Sequence, residues 1–192
     1  MLRLLPNAIT LLRLAAVPLL AWLVWAGAYQ TFALLLIACL LGDVVDGALA
    51  RLLRATSALG AQLDSIADSL LFFVTIAGTL VFHPDDVRAH GVAFALVPAA
   101  WLAENCAALV RYGRLSSFHT YLSRAAGVAM GLFVAVLFLR GMDARLLHVA
   151  VTLVLLATVE EFVLLWRLPD WTANVRGLYW VRREPRQQGR SR

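Results

Sequence analysis

The chain has 192 residues, of which 61% are hydrophobic and only 15% are charged, with a formal net charge of +5. This composition is typical of membrane proteins and excludes an ordinary soluble domain. All 17 basic residues are arginine, and because they flank apolar segments we interpret their charge as suited to anionic lipid headgroups and anionic substrates, not to nucleic acid.

The first 13 residues are apolar except for polar side chains at helical spacing. Arg3, Asn7, Thr10 and Arg13 recur every three or four positions. This pattern predicts a helical segment that lies at the membrane interface before the first span, which we place at residues 14–28.

Five more apolar segments follow, and each has roughly the 20 residues that a membrane helix needs. The sequence therefore predicts an all-α integral membrane protein with six transmembrane helices and an N-terminal interfacial segment. Residues 1–170 are expected to form one membrane domain, and residues 171–192 a basic tail that is interfacial or disordered. The five further spans are expected at about 31–50, 59–82, 91–110, 125–139 and 146–166.

The second and third predicted spans each carry two aspartates: Asp43 and Asp46, then Asp64 and Asp68. A carboxylate at membrane depth is costly and usually marks a functional site. On a helix each pair lies on one face, so all four carboxylates can converge if the two helices form a hairpin. Clustered carboxylates repel each other unless protons or cations join them, and hard oxygen ligands suit Mg²⁺ or Mn²⁺. The sequence thus predicts a two-cation site that can clamp the oxygens of a displacement at phosphorus.

Small residues and one arginine accompany these acids. Gly47 and Ala50 lie on the first acidic face, and Gly60 lies one turn before Asp64. Small side chains there let a ligand approach closely. Arg51 ends the first acidic face with a planar donor group that is suited to phosphate.

The whole stretch, D-x2-D-G-x2-A-R-x8-G-x3-D-x3-D, resembles the signature of the CDP-alcohol phosphotransferase family. The resemblance implies that the first three aspartates bind two divalent cations, while the fourth, Asp68, completes the metal site and acts as the base. It also implies that the small residues and the arginine hold the CDP-lipid. The N-terminal P-N-x2-T-x2-R pattern is similar to that of many members, in which Asn7 and Thr10 would contact the nucleotide. The eight matching positions are Asp43, Asp46, Gly47, Ala50, Arg51, Gly60, Asp64 and Asp68.

The resemblance further implies an enzyme of phospholipid biosynthesis that works as a homodimer. It would transfer a phosphatidyl group from a CDP-linked lipid, such as CDP-diacylglycerol, to a small alcohol or phosphorylated alcohol, with release of CMP. Two alternatives stay open. One is an aspartate-rich intramembrane prenyltransferase, whose motifs lack the Gly-x2-Ala-Arg element. The other is a non-enzymatic ion-binding or transport protein, which would move ions and release no CMP.

The loop after the fourth span is basic, and its arginines are candidate acceptor-binding residues: Arg111, Arg114 and Arg124. Equally, they could serve only to fix the topology. Glycerol-phosphate-using relatives tend to carry a Gly-Lys-x2-Thr-like motif here, which this sequence lacks. The acceptor therefore stays open among inositol phosphate, glycerol phosphate, serine, inositol and another lipid.

Arginine counts predict the orientation of the chain. With a cytoplasmic N-terminus, 14 of the 17 arginines fall on the inner side. Both termini and the acidic hairpin would then face the cytoplasm, in a bacterial inner membrane. Glu104, Glu160 and Glu161 lie within spans, where we interpret them first as structural pairs and second as part of an acceptor pocket.

Overall fold

The computed structural model describes residues 5–53, 58–113, 120–168 and 177–178, and for residues 5–7, 46–53 and 58–62 it describes the backbone only. Within these residues the chain is helical and contains no strand, as the sequence predicts. The contacts divide it into two units, residues 1–89 and 90–192. The helices of the first unit are α1 (Leu5–Trp25), α2 (Tyr29–Leu53), α3 (Ala58–Phe82) and the short α4 (Pro84–Ala89), and those of the second are α5 (Gly91–Tyr112), α6 (Tyr121–Arg140) and α7 (Ala144–Arg167).

Five of the described helices are long and apolar enough to cross a membrane, which makes this an integral, multi-pass membrane protein. They are α1, α3, α5, α6 and α7, and α2 contributes a shorter apolar segment, Tyr29–Val45. Large apolar side chains point outward, as Trp25, Val110 and Trp166 do. Such exposure suits a surface that is solvated by lipid tails. The six predicted spans each fall on one of these helices.

The N-terminus differs from the expectation in one respect. Residues 5–25 form a single helix, so the predicted interfacial segment and the first span are continuous. Thr10 and Arg13 are buried instead of facing lipid headgroups. The reason is tertiary: both residues lie on the face of α1 that packs against the rest of the first unit.

In the first unit, α1 is the central helix. It packs against both α2 and α3, whereas α2 and α3 approach each other over only a short stretch. That stretch includes aromatic side chains, because the Phe82 ring lies 5.4 Å from that of Tyr29 and 5.3 Å from that of Phe32. The acidic segments are therefore brought together through α1 and not by a simple α2–α3 hairpin.

Gly78 makes the contact between α2 and α3 possible. A Cβ atom at this position would lie 2.3 Å from Cζ and 2.6 Å from Cε1 of Phe32, a side chain that is fully buried. Such distances are far inside van der Waals contact, so the ring could pack there only because position 78 has no side chain.

We expect Gly78→Ala to destabilise the protein by about 1–3 kcal/mol, since overpacking forces side chains and backbone to shift. Thermal unfolding in detergent measures the effect. Gly127→Ala is the matched control, because it is also a helical glycine but has nothing within 4 Å of the added Cβ. If both variants unfold at the same temperature, the contact with Phe32 does not restrict the size of the side chain at position 78.

In the second unit, α7 is the shared helix and packs against both α5 and α6. Asp143 caps its start by accepting hydrogen bonds of 3.0 Å from the backbone N–H groups of Arg145 and Leu146. Near its end, Tyr112 of α5 donates its hydroxyl to the carbonyl oxygen of Leu168 at 2.8 Å. This bond and the apolar cluster of Ala108, Leu164 and Leu165 fix α5 on α7.

The acidic residues of the second unit pair with neighbours. Glu161 is buried on α7, where Glu104 of α5 and Ser123 of α6 are its polar neighbours. Glu160 accepts the backbone N–H of Leu178 at 3.0 Å. These contacts favour the structural interpretation of the three glutamates, because they join segments of this unit to α7.

Candidate metal centre

Three of the four signature aspartates converge. Asp43 is carried by α2, and Asp64 and Asp68 lie one turn apart on α3, so their side chains share a face. Each offers a carboxylate oxygen, and these three oxygens all lie within 4.8 Å of one another. The side chain of the fourth, Asp46, lies outside the described part of the chain.

Arg13 of α1 contacts all three acids. Nη1 of Arg13 lies 2.9 Å from Oδ1 of Asp43 and 3.0 Å from Oδ1 of Asp64. Nη2 lies 2.5 Å from Oδ1 of Asp68. The guanidinium thus ties α1 to α2 and α3 at the level of the cluster.

Burial differs sharply across this group. The Arg13 side chain is only 4% exposed, whereas those of Asp43, Asp64 and Asp68 are 44%, 42% and 50% exposed. The methylene carbons of Arg13 pack on Gly42, where a Cβ would lie 3.6 Å from Cδ. The arginine therefore forms the inner wall of the cluster, and the carboxylates form its open side.

The carboxylates fit a divalent cation. Ligand oxygens that share one such ion at about 2.0–2.6 Å from it lie no more than about 5 Å apart, which matches the observed spread. Carboxylate oxygens are also the hard donors that Mg²⁺ and Mn²⁺ prefer. Three negative charges against one guanidinium leave the described cluster anionic, so it attracts a cation.

Sequence reasoning missed Arg13 as a member of this centre. Its signal was the spacing of Thr10 and Arg13, two polar residues one turn apart in an otherwise apolar helix. That spacing predicts an interfacial segment, and the P-N-x2-T-x2-R pattern, which ends at Arg13, gives a role only to Asn7 and Thr10. Thr10 and Arg13 are instead buried inside the first unit, at 5% and 4% exposure.

The other predicted site residues have mixed outcomes. Arg111 and Arg124 are exposed in the second unit; Arg111 donates to the carbonyl oxygen of Leu168 at 3.2 Å, and Arg124 lies over the ring of Tyr121. For five further candidates the structure describes only the helical backbone: Asn7, Gly47, Ala50, Arg51 and Gly60. Arg114 lies outside the described residues.

Comparison with known proteins identifies the family. The family model of CDP-alcohol phosphatidyltransferases matches residues 3–169, and the chain belongs to this family. It is also similar to CDP-diacylglycerol–glycerol-3-phosphate 3-phosphatidyltransferase 1, chloroplastic/mitochondrial, of Arabidopsis thaliana, with 43% identity over 76 residues. That match covers 38% of this chain and 25% of the relative, so the chain spans about a quarter of the length of the curated protein that it matches. No solved structure matches. Family membership sets aside the prenyltransferase and transporter alternatives.

Proposed function

We propose that this protein is a membrane phosphatidyltransferase that moves a phosphatidyl group from CDP-diacylglycerol to an alcohol and releases CMP. The observation that carries the proposal is the convergence of Asp43, Asp64 and Asp68 within a chain whose family model matches residues 3–169. Such a reaction needs cations that neutralise the diphosphate of the donor and a base that activates the hydroxyl of the acceptor. Clustered, half-exposed carboxylates supply ligands for those cations, and one of them supplies the base.

The roles of the residues follow from the motif. Asp43, Asp46 and Asp64, with Asp68, would hold two divalent cations, Mg²⁺ or Mn²⁺. When bound, such cations stabilise the charge on the transferring and leaving phosphates. Asp68 would accept the proton of the acceptor hydroxyl. The hydroxyl oxygen then forms a bond to the phosphorus of the phosphatidyl group, and the bond from this phosphorus to the CMP oxygen breaks.

The donor nucleotide would lie beside this cluster. We assign its binding to residues whose spacing matches the family motif: Asn7, Thr10, Gly47, Ala50, Arg51 and Gly60. Of these, Thr10 is described with its side chain, and it is buried on α1 one turn before Arg13. Its place one turn from Arg13, which contacts the acidic cluster, supports the assignment.

Arg51→Ala is expected to reduce kcat/KM for CDP-diacylglycerol roughly 10- to 150-fold, because a charge-assisted hydrogen bond to phosphate contributes about 1.5–3 kcal/mol. Arg88→Ala is the control, since Arg88 is an exposed arginine that pairs only with Asp85 among the described residues. Steady-state kinetics with the donor varied decides the point, and equal effects at the two positions would remove Arg51 from the donor site.

The acceptor is an alcohol, and we propose a phosphorylated one held by Arg111, Arg114 and Arg124. The exposure of Arg111 and Arg124 leaves their guanidinium groups accessible to an anion. The relative from Arabidopsis thaliana is named for glycerol 3-phosphate, which makes that compound the first acceptor to test. A product assay with CDP-diacylglycerol and a panel of glycerol 3-phosphate, inositol phosphate, inositol and serine tests this. Turnover with the neutral alcohols alone would contradict the phosphorylated-acceptor proposal.

The wider setting is also part of the proposal. We propose that the protein lies in a bacterial inner membrane with its termini and active site in the cytoplasm, and the excess of arginine on one side supports this orientation. We further propose that residues 1–170 act as one membrane domain followed by a basic tail, and that the enzyme is a homodimer. The family model, which ends at residue 169, supports this domain boundary.

A further inference from the structure

Arg13 occupies an unusual position for a membrane arginine. Its guanidinium contacts carboxylates from two different helices while its own side chain is 4% exposed. The surface pair of Arg88 and Asp85 provides a contrast, because these residues belong to one short helix and are 79% and 92% exposed. Exposed pairs of that kind contribute little to stability, whereas a buried arginine is retained only where its charge is compensated.

The geometry separates the arginine from the open side of the cluster. Arg13 contacts Asp43, Asp64 and Asp68 through the Oδ1 atom of each, and these acidic side chains are about ten times more exposed than that of Arg13. A carboxylate has two oxygens and about four lone-pair sites, so each acid can contact Arg13 from behind and a cation from the front.

Asp43, Asp64 and Asp68 can stay close together only if a positive charge offsets the repulsion between their carboxylates. Like charges that are this close repel each other, and a positive charge within 3.0 Å offsets the repulsion. The same positive charge repels any cation that binds to these carboxylates. One residue thus has two opposed effects on cation binding: it orders the ligands and it lowers their affinity.

We propose that Arg13 is a positioning residue of the metal centre, an internal counter-ion that holds the three carboxylates together and competes with divalent cations for their charge. This inference depends on the proposed function in one respect, which is that divalent cations bind to Asp43, Asp64 and Asp68. The planar fork of arginine is needed because its two Nη atoms reach three carboxylates, which a lysine ammonium at the end of a flexible chain does not reproduce.

The test measures cation binding and stability in addition to turnover. Wild type, Arg13→Gln and Arg13→Lys are purified in detergent, with Arg88→Gln as the control for loss of an exposed ion pair. Mn²⁺ binding is followed by electron paramagnetic resonance of the free ion, and thermal unfolding is recorded in EDTA and in Mn²⁺.

In EDTA we expect Arg13→Gln to unfold at a lower temperature than wild type. Mn²⁺ should raise the unfolding temperature of this variant by more than it raises that of wild type. The variant should also bind Mn²⁺ about tenfold more tightly, because the competing charge is gone. Arg13→Lys keeps the charge but not the fork, so it should be destabilised in EDTA while its Mn²⁺ affinity stays closer to that of wild type. Arg88→Gln should behave as wild type.

Unchanged or weaker Mn²⁺ binding by Arg13→Gln would overturn the inference. If Arg13→Gln does not fold without metal, the positioning role is tested with Arg13→Lys. This role would be overturned if Arg13→Lys unfolds in EDTA at the same temperature as wild type. Failure of the proposed function is a different result, since wild type itself would then bind no Mn²⁺.

Discussion

Asp64→Asn is expected to lower turnover by about 10³-fold or more while the protein still inserts into the membrane and purifies. Asparagine has the same shape as aspartate but no charge, so the centre loses an anionic ligand. Metal ions contribute several kcal/mol of transition-state charge stabilisation, and each 1.36 kcal/mol is tenfold in rate. Asp43→Asn should behave in the same way, and excess EDTA should reproduce the loss in wild type.

The control for this prediction is Asp85→Asn. Asp85 is an exposed acid on α4 that pairs only with Arg88 among the described residues, so its loss should leave turnover unchanged. Product formation from CDP-diacylglycerol, measured beside the unfolding temperature of each variant, separates lost chemistry from lost folding. Substantial activity of Asp64→Asn, or of wild type in EDTA, would contradict a metal-dependent mechanism.

Asp68→Asn is expected to lower kcat by about 10²–10⁴-fold or more, since Asp68 is proposed both as the base and as a ligand of the metal centre. General-base catalysis contributes that range, and an amide cannot accept the proton of the acceptor hydroxyl. The neighbouring variant Ser69→Ala is the control, because the Ser69 hydroxyl donates to the backbone carbonyl oxygen of Ser65 and should not affect proton transfer. A kcat for Asp68→Asn within tenfold of wild type would show that another group removes the proton.

Much of the fold could be predicted from sequence because membrane helices are long, apolar and internally hydrogen-bonded. The spans at 59–82 and 91–110 agree with α3 and α5 to within a few residues. The clustering of Asp43, Asp64 and Asp68 was also predictable, because helical spacing placed each acid on a face and the cost of burying charge indicated that these faces meet.

The rest depended on which helices pack together, and spacing along one helix does not carry that information. The expectation of an α2–α3 hairpin overlooked α1, which packs against both helices and supplies Arg13. In the same way, nothing in the residues around Gly78 indicated that the Phe32 ring lies against it. Both features are tertiary contacts between residues more than 25 positions apart in the sequence.

We propose that Asp43, Asp64 and Asp68 form a divalent-cation centre for phosphatidyl transfer from a CDP-linked lipid. Release of CMP from CDP-diacylglycerol by purified protein, with glycerol 3-phosphate present and Mg²⁺ or Mn²⁺ titrated from zero, tests it most directly. We predict CMP release that requires both the cation and an alcohol acceptor and that is lost in Asp64→Asn. CMP release that is independent of divalent cations, or equal in wild type and Asp64→Asn, would contradict a role for these aspartates in a cation centre.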